Sequence, residues 1–565
     1  MPEYLAPAVF VEETSFRAKS IEGVGTSTAA FVGMTARGPV SIKPDDPTPP
    51  LLTNFADFER YYGSVEPLNV GSKRPNYLAL AARSFFENGG GRLYVSRIPG
   101  TGAKAAGPEN AGIDAKVKFV ARQEGGTTIP GTDVNYRIEI AQIELETTNA
   151  LARRQPVGTA VIVGNSWKIV GTDNISNNDT TVKIVTIAVT VHGPEGILFE
   201  AAGLGLDPSH SRYIGSVLAT DPPDATASLT NPVAIQVTGK IPAKDLSAAL
   251  LHKGDSDAGT RTLDLTGGVD GTGAPKGDDY KEALQTLLAL EDISIVACPD
   301  SQTFDAALGE AVNADLIGHA ESRRAYRIAV LDTPNKLDLA GVRKLKGKID
   351  SKYAALYYPW VSMANPMAGI DPREPSRIDL PPSGAVCGIY ARNDVNRGVW
   401  KAPANETVTG ALGLQRDIRF GEQEVLNPLG INCIRGLPNR GIRVWGARTL
   451  SSDPEWKYVN VRRYFLYLEN SIDRGTQWAV FEPNGEALWA NVTTTVTDFL
   501  YNEWMSGALL GTKPEEAFFV RCDRSTMTQN DLDNGRLICL VGVAAIKPAE
   551  FVIFRIGQKT ADARG

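Results

Sequence analysis

Residues Tyr280–Asp300 read YKEALQTLLALEDISIVACPD and contain one amphipathic helix followed directly by one apolar strand. Leu284, Leu287 and Leu288 recur at the spacing of one helical face. Ile293–Cys298 is an almost continuous apolar run, which is typical of a strand buried on both faces. This succession of helix and buried strand predicts a largely parallel sheet covered by helices.

The same alternation continues on both sides of this stretch. Downstream, the pattern predicts helices around Phe304–His319 and Leu339–Lys346 and strands at Arg327–Leu331 and Ala354–Tyr358. Upstream, it predicts strands at Ala29–Gly33 and Leu93–Val95 and a helix at Tyr77–Phe86. The two parts therefore form two halves of one α/β domain.

Residues 101–265 interrupt that domain with a different pattern. Helical periodicity is lost, and short runs rich in Val, Ile and Thr recur, such as Ala160–Val163 and Val182–Val185. Clusters of turn-forming residues, such as Asn174–Asp179, separate them. The pattern predicts a β-rich insertion between the two halves of the α/β domain.

A third region follows residue 405 and is mainly helical. Apolar residues at helical spacing predict one helix over Asn460–Asp473 and a longer one over about Glu486–Leu510. Between them, Trp478–Phe481 is interpreted as a strand that ends at a turn.

Both ends of the chain carry short β-prone runs, Ala8–Val11 and Phe551–Ile556. A strand this short does not fold alone, so it either docks on its own domain or adds to the sheet of another chain. We interpret Thr14–Ser20 and the residues around Gly542–Lys547 as flexible linkers to these arms.

The composition excludes several function classes. The chain has 565 residues and a net charge of −7, which argues against a general nucleic-acid binder. Five cysteines without a CxxC pair indicate buried thiols in a reducing compartment. Four histidines without metal-ligand spacing predict no metal or other cofactor. Neither a secretory signal nor a membrane-spanning run is visible. The arginines within 435–448 are interpreted as an interface or a salt-bridged strand edge rather than a nucleic-acid site.

A hydrolase is the enzyme alternative. Gly25–Ala29 is similar to the serine motif of subtilisin-like proteases, and Val330–Thr333 is similar to their aspartate strand. A triad also needs a histidine within reach of both, and the candidate, His192, lies in the insertion. The order Ser, His, Asp also differs from that family. We therefore interpret Ser27 and Asp332 as structural residues and predict no catalytic site.

Several separate motifs, in order, resemble contractile tail sheath proteins of myovirus-type phages and bacterial contractile injection systems. The motifs are Tyr4–Glu13, Ile21–Gly33, Leu290–Asp300, Tyr357–Val361, Pro381–Val386, Gly398–Asn405, Leu426–Asn432, Val444–Leu450, Tyr458–Arg463, Phe481–Asn484 and Lys547–Phe551. The resemblance covers most of the chain outside 101–265.

The resemblance implies a multidomain α/β and α+β fold with a subtilisin-like α/β middle domain that lacks the triad. The expected divisions are an N-terminal arm (1–20), the first part of the α/β domain (21–100), an outward-facing variable insertion (101–265), the rest of the α/β domain (266–420), a C-terminal domain (421–546) and a C-terminal strand arm (547–565).

The resemblance also implies a function: stacked hexameric rings around an inner tube, which contract to drive the tube through a target envelope. The implied partners are further copies of the chain, the inner tube protein, and baseplate and tail-terminator or cap proteins, without nucleic acid or direct membrane insertion. Assembly is expected in the bacterial cytoplasm, and the product is part of a phage tail or injection particle. The alternative is a capsid or surface-array protein that uses the same end-strand exchange.

Three sets of residues follow as candidate sites. The inter-subunit strand of the N-terminal arm comprises Ala8, Val9, Phe10, Val11 and Glu12. That of the C-terminal arm comprises Phe551, Val552, Ile553, Phe554, Arg555 and Ile556. The candidate tube-facing residues of the long helix are Asn491, Thr495, Asp498 and Asn502.

Overall fold

The fold was determined from a computed structural model, which describes residues 20–40, 48–108, 116–175, 181–222, 229–251 and 259–554. These residues form two compact units. The larger unit contains the described residues of 26–396 and 403–459, and the smaller one those of 20–25, 397–402 and 460–554. Among the described helices, none combines the length and the apolar composition that a membrane span needs.

The described residues contain strands in both units. In chain order they are β1 (Thr28–Gly33), β2 (Leu68–Val70), β3 (Ser72–Arg74), β4 (Arg92–Arg97), β5 (Gly107–Pro108), β6 (Val117–Ala121), β7 (Val134–Thr148), β8 (Ala160–Val163), β9 (Ser166–Ile169), β10 (Thr181–Gly193), β11 (Gly196–Leu204), β12 (Val233–Val237), β13 (Thr260–Thr266), β14 (Ile295–Ala297), β15 (Ile328–Asp332), β16 (Ala354–Tyr358), β17 (Val361–Ala364), β18 (Arg377–Leu380), β19 (Glu406–Thr407), β20 (Ala411–Leu414), β21 (Ile431–Leu437), β22 (Gly441–Val444), β23 (Phe518–Arg521) and β24 (Leu540–Val543).

The α-helices range from single turns to five turns in length. In chain order they are α1 (Phe55–Tyr62), α2 (Tyr77–Glu87), α3 (Asn149–Ala152), α4 (Ile214–Val217), α5 (Ala243–Leu251), α6 (Gly277–Thr286), α7 (Ala306–Glu321), α8 (Leu339–Lys346), α9 (Ser383–Arg397), α10 (Phe420–Leu426), α11 (Val459–Gly475), α12 (Glu486–Met505), α13 (Pro514–Ala517) and α14 (Gln529–Asp533).

An eight-stranded sheet organises the larger unit, in the order β19-β22-β21-β16-β15-β14-β1-β4. From β21 to β4 every neighbouring pair is parallel, as the helix–strand alternation predicts. On one face, helices α6, α7 and α8 contribute apolar side chains to a shared core with the strands. On the other face, Phe31 of β1 contacts Phe85 of α2 with 5.7 Å between ring centroids, and the hydroxyls of Tyr357 and Tyr390 are 2.6 Å apart.

Strands from both sides of the β-rich segment enter this one sheet: β1 and β4 precede it, and β14 follows it. Between them, β7 and β10 are the long antiparallel strands of a seven-stranded sheet. Its core includes Ile138, Ile140, Val189 and Val191, which alternate along the two strands. The expected domain boundaries remain predictions. One structural difference concerns 421–459, because β21 hydrogen-bonds to β16 and so belongs with the α/β sheet rather than with the helices that follow.

The smaller unit is built on α11 and α12, both of which the apolar spacing predicts. Its core contains Tyr464 and Leu468 of α11 with Val492, Val496 and Phe499 of α12. The long helix ends at Met505, five residues before the expected end at Leu510.

The predicted strand Trp478–Phe481 is wrong. Gln477–Ala479 form a 3₁₀ turn instead, and Thr476 continues the hydrogen bonding of α11 by donating its amide to the Ile472 carbonyl at 3.0 Å. Phe481 has a φ of 66° and a fully exposed side chain. The chain turns here between two helices, and Val480 and Phe481 are exposed on that turn rather than paired in a strand.

Candidate assembly surfaces

The hairpin of β23 and β24 is the only sheet among the described residues of the smaller unit, and it has two strands. Ala517, at the end of α13, accepts a hydrogen bond from the Ala544 amide at 2.8 Å, and Leu510 donates to the Ala544 carbonyl at 2.8 Å. In a two-stranded sheet each strand presents one edge of backbone donors and acceptors beyond the ladder. We call β23 and β24 together the open hairpin.

The open hairpin also exposes apolar side chains. Phe519 is 56% exposed, Leu540 49% and Val541 37%. The Phe519 ring lies over Gly542 on the opposite strand, in the space that a Cβ there would occupy. An apolar, half-exposed sheet with free edges is a surface suited to pairing with another strand.

The C-terminal arm residues within the described part are also exposed and apolar. Phe551–Phe554 form no regular secondary structure, and each side chain is at least 70% exposed. The strand predicted there is therefore not formed within the described residues. Arg555 and Ile556 lie outside the described residues, as do Ala8–Glu12 of the N-terminal arm.

The residues that lead into both arms are fixed on the smaller unit. At the N-terminal end, Ile21 is buried in the core, and the Val24 amide donates to Ser471 Oγ at 3.1 Å. At the C-terminal end, Asn460 Nδ2 donates to the Ile546 carbonyl at 3.2 Å. The predicted flexible linker around Gly542–Lys547 is wrong over its first part, because Gly542 and Val543 belong to β24 and the next residues are hydrogen-bonded.

Helix α12 presents a solvent-facing stripe that differs by one residue from the predicted one. Asn491, Asp498 and Asn502 are exposed, as expected. Thr495 is only 6% exposed and donates its hydroxyl to the Asn491 carbonyl at 2.8 Å, so its assignment to a tube-facing surface is wrong. It lies at the border with the buried side of the helix, and Thr494 takes its place on the exposed stripe.

A partly buried carboxylate holds α12 against α11. Glu503 accepts hydrogen bonds from the Tyr464 hydroxyl at 3.1 Å and from the Tyr467 hydroxyl at 2.8 Å. Burial raises the pKa of Glu503, and the two hydroxyls oppose that rise. Trp504 Nε1 donates to the Gly511 carbonyl at 3.0 Å and fixes the end of the helix. The exposed stripe therefore lies on a firmly anchored helix.

The residues that are similar to protease motifs have structural partners in the larger unit. Asp332 ends β15 and accepts hydrogen bonds from the amide and hydroxyl of Ser383, at 2.9 and 2.5 Å, at the start of α9. Its partner is thus Ser383 and not Ser27. Burial raises the pKa of Asp332 to about 7.

A second buried carboxylate, Asp300, follows β14 and accepts from the Met34 amide at 2.7 Å and the Tyr280 hydroxyl at 2.8 Å. Burial raises its pKa to about 6. A Cβ at Gly33 would lie 2.5 Å from this carboxylate, which explains the glycine that ends β1. Both carboxylates join a strand end to a neighbouring element.

Two other candidates for chemistry are also engaged within the fold. His319 Nε2 lies 2.7 Å from Arg327 Nη1, and burial lowers the pKa of His319 to about 3, so this side chain is neutral near pH 7. Arg435 donates to the Ile418 carbonyl, and Arg443 donates to the Asn405 carbonyl. Both contacts are hydrogen bonds to backbone carbonyls rather than ion pairs, and the expected interface or salt-bridged strand edge stays a prediction.

Known proteins match this chain over its second half and in its fold. The family model described as phage tail sheath protein central domain matches residues 273–450, and the phage tail sheath C-terminal domain matches 451–559. Together they cover just over half of the 565 residues.

A putative prophage major tail sheath protein of Pseudomonas aeruginosa (strain UCBPP-PA14) is 28% identical over 253 residues, which is 44% of this chain and 61% of that protein. The matched part is thus less than two thirds of that relative's length.

Two solved structures share the fold along nearly the whole chain. One is the PVC sheath complex of an extracellular contractile injection system in the contracted state, with 21% identity, 99% coverage of both chains and a TM-score of 0.52. The other is the helical sheath of the anti-feeding prophage in the contracted state, with 22% identity, coverage of 98% of this chain and 99% of that one, and a TM-score of 0.56.

The matched domains define a structural protein of phage tail sheaths, not an enzyme. The chain belongs to the phage tail sheath family.

The structure adds one element that the sequence pattern does not predict. Phe518–Arg521 and Leu540–Val543 together form the open hairpin, although neither segment is expected to be a strand. The alternation of buried and exposed residues is weak in both strands. The available signal is the pair of short β-prone runs on either side of the polar segment 523–536.

Proposed function

We propose that this chain is the repeating subunit of a contractile sheath that polymerises as hexameric rings stacked around an inner tube. The open hairpin, with exposed apolar side chains and two free edges, is the observation that carries this proposal. Membership of the sheath family supports it.

In this proposal the arms of neighbouring subunits add strands to the open hairpin. Phe551–Phe554 offer an exposed apolar segment of strand length, and Ala8–Glu12 a second β-prone run of similar length. Each backbone hydrogen bond contributes roughly 0.5–1.5 kcal/mol net. Four or five bonds per arm would give a few kcal/mol, repeated for every subunit of the polymer.

Contraction then draws on free energy stored at assembly. We propose that the sheath first forms in an extended state with poorer contacts between subunits and is held there kinetically. Val24 and Ile546 fix the residues that lead into both arms on the smaller unit. Through the arms, each subunit would stay joined to its neighbours while the subunits rotate. The shortening drives the tube through a target envelope.

For the contact with the inner tube, we propose the exposed stripe of α12. Asn491, Thr494, Asp498 and Asn502 offer small polar groups and one negative charge on that stripe. Polar contacts of this kind are weak in water, so they can break during contraction. The baseplate and a terminator or cap protein would bind the two ends of the polymer, and the insertion would face outward. The particle would be a phage tail or an injection system that is assembled in the bacterial cytoplasm. We also propose that the α/β domain is subtilisin-like in fold.

Negative-stain electron microscopy of the purified chain at increasing concentration tests the proposal. We expect hollow striated tubes or stacked six-fold rings from the full chain. Flat lattices or closed shells would instead support an array or capsid protein, and persistent monomers would contradict self-assembly by this chain alone.

Deletion of residues 1–20 tests the role of the arm. We expect a folded monomer that does not polymerise, whereas deletion of residues 1–7, which keeps Ala8–Val11, is the matched control and should still assemble. Tubes formed by the longer deletion would contradict strand exchange through the N-terminal arm.

A further inference from the structure

Two of the five cysteines face each other at the end of the open hairpin. The ladder pairs Arg521 with Leu540, so the next pair in the same register is Cys522 with Cys539. Both are free cysteines; Cys522 is buried, and Cys539 is partly exposed. The other three, Cys298, Cys387 and Cys433, are buried in the larger unit.

The register places this pair at the spacing that a disulfide requires. The Ala544 amide donates to the Ala517 carbonyl, one residue before the Phe518–Val543 pair. Hydrogen-bonded and non-hydrogen-bonded pairs alternate along an antiparallel ladder, so the same register continued to the cysteines gives them a non-hydrogen-bonded position. At such positions the Cα atoms lie about 4.5 Å apart. Disulfides span Cα separations of about 4.4–6.8 Å.

The two thiols differ in exposure. Burial raises the pKa of both, and the interaction between the two side chains raises that of Cys522 further and opposes the rise at Cys539. Cys539 is the more exposed of the two and is therefore the thiol that an oxidant in solution reaches first.

We propose that Cys522 and Cys539 are an oxidation site that forms an intrachain disulfide with a small-molecule disulfide as oxidant. The Cys539 thiolate attacks one sulfur of the oxidant, and the other sulfur leaves as a thiolate that takes up a proton. Cys522 then loses its proton and attacks the Cys539 sulfur, which releases the second small thiol. Two protein thiols are oxidised to one disulfide, and one small disulfide is reduced to two thiols.

This disulfide closes the loop 523–538 and fixes the register of the open hairpin. The loop contains α14, and a hydrogen bond within it joins Thr526 Oγ1 to the Ile538 carbonyl at 2.7 Å. Asn484 Nδ2, outside the loop, donates to the Arg536 carbonyl at 3.2 Å. Closing it restricts the unfolded chain and raises the stability of the smaller unit. The site concerns this hairpin alone and does not rest on the proposed sheath function.

The test is to measure the number of free thiols in the full chain before and after incubation with oxidised glutathione. Alkylation and peptide mass spectrometry should show a loss of two free thiols, both from the peptides that carry Cys522 and Cys539, with reversal by dithiothreitol. The thermal midpoint of the smaller unit should rise by several degrees in the oxidised protein. Cys433→Ala is the matched control and should still lose two thiols.

Single variants and proteolysis distinguish the intrachain disulfide between Cys522 and Cys539 from other thiol oxidation products. Cys522→Ser should leave Cys539 as a mixed disulfide with glutathione, and Cys539→Ser should leave Cys522 reduced. Trypsin cleavage after Arg524 or Arg536 in the loop should give fragments that separate only after reduction. Retention of all five thiols, a disulfide between other cysteines, or covalent dimers through Cys539 would each overturn the proposal.

Discussion

The two units differ in how far each covers its own sheet. In the eight-stranded sheet, every residue of β1, β15 and β16 is buried. In the open hairpin, β23 buries only Phe518 and β24 has no buried residue. The larger unit buries the central strands of its main sheet within one chain, whereas the smaller unit leaves apolar side chains of its sheet exposed to another chain.

The largest effect should come from removing Phe551–Phe554, the segment that we propose pairs with a neighbouring subunit. Deletion of residues 551–565 should abolish polymerisation and leave the thermal unfolding of the monomer unchanged, because Phe551–Phe554 are exposed. Negative-stain microscopy and sedimentation measure the first effect, and calorimetry measures the second. Deletion of 557–565 alone is the control and should still assemble; a loss of stability in the longer deletion would mean that the segment belongs to its own chain's fold.

The same substitution in the two sheets sharpens the comparison. Phe31→Ala should lower the free energy of unfolding of the larger unit by about 3–5 kcal/mol, because the side chain is fully buried against Phe85. Phe519→Ala should change monomer stability by roughly 1 kcal/mol or less, because the ring is 56% exposed, yet it should weaken polymerisation. Denaturant unfolding and the critical concentration for assembly measure the two effects. Equal destabilisation by both would break the comparison.

The two buried carboxylates at strand ends, Asp332 and Asp300, also predict that the stability of the larger unit depends on pH. Burial raises the pKa of Asp332 from 3.8 to about 7 and that of Asp300 to about 6. Between about pH 4 and 7 the folded state therefore binds more protons than the unfolded state, and stability falls as pH rises through this window.

The thermal midpoint should be lower at pH 8 than at pH 5, and Asp332→Asn should reduce that difference. The exposed Asp371 is the control. Its hydrogen bonds with Arg373 lower its pKa to about 2, so Asp371→Asn should not alter the comparison between pH 5 and 8. An unchanged pH dependence in Asp332→Asn would contradict the burial argument.

The smallest effect distinguishes two adjacent residues of α12. Thr495→Ala should destabilise the smaller unit by about 1 kcal/mol, because it removes a buried methyl group and a satisfied hydroxyl. Thr494→Ala should be neutral or stabilise by a few tenths of a kcal/mol, since alanine is the better helix former on an exposed face. Urea denaturation of both variants measures the difference. The reverse order would place the exposed stripe elsewhere.

Sequence reasoning succeeds where the apolar pattern reflects packing within one chain. The predicted strand Ala354–Tyr358 and helix Leu339–Lys346 have the observed bounds, because continuous apolar runs and helical spacing report directly on packing within one chain. It fails at Trp478–Phe481, where an apolar run fills a turn, and at Thr495, which lies at the border of a helical face.

The sequence does not predict the open hairpin, for a different reason. Residues such as Phe519 and Leu540 are apolar but exposed in a single chain, so their pattern does not describe a core of this unit. An exposed apolar patch of this kind is typical of an interaction surface. In the proposed sheath, the part of the candidate site that the sequence leaves undefined is thus the part that a second subunit would cover.

The most direct measurement is a helical reconstruction by cryo-electron microscopy of tubes assembled from the purified chain. The account predicts that each open hairpin is extended by strands from neighbouring subunits, with Phe551–Ile556 of one neighbour on one edge. A hairpin that stays two-stranded in the tube, or whose edges are covered by its own chain's termini, would contradict the account.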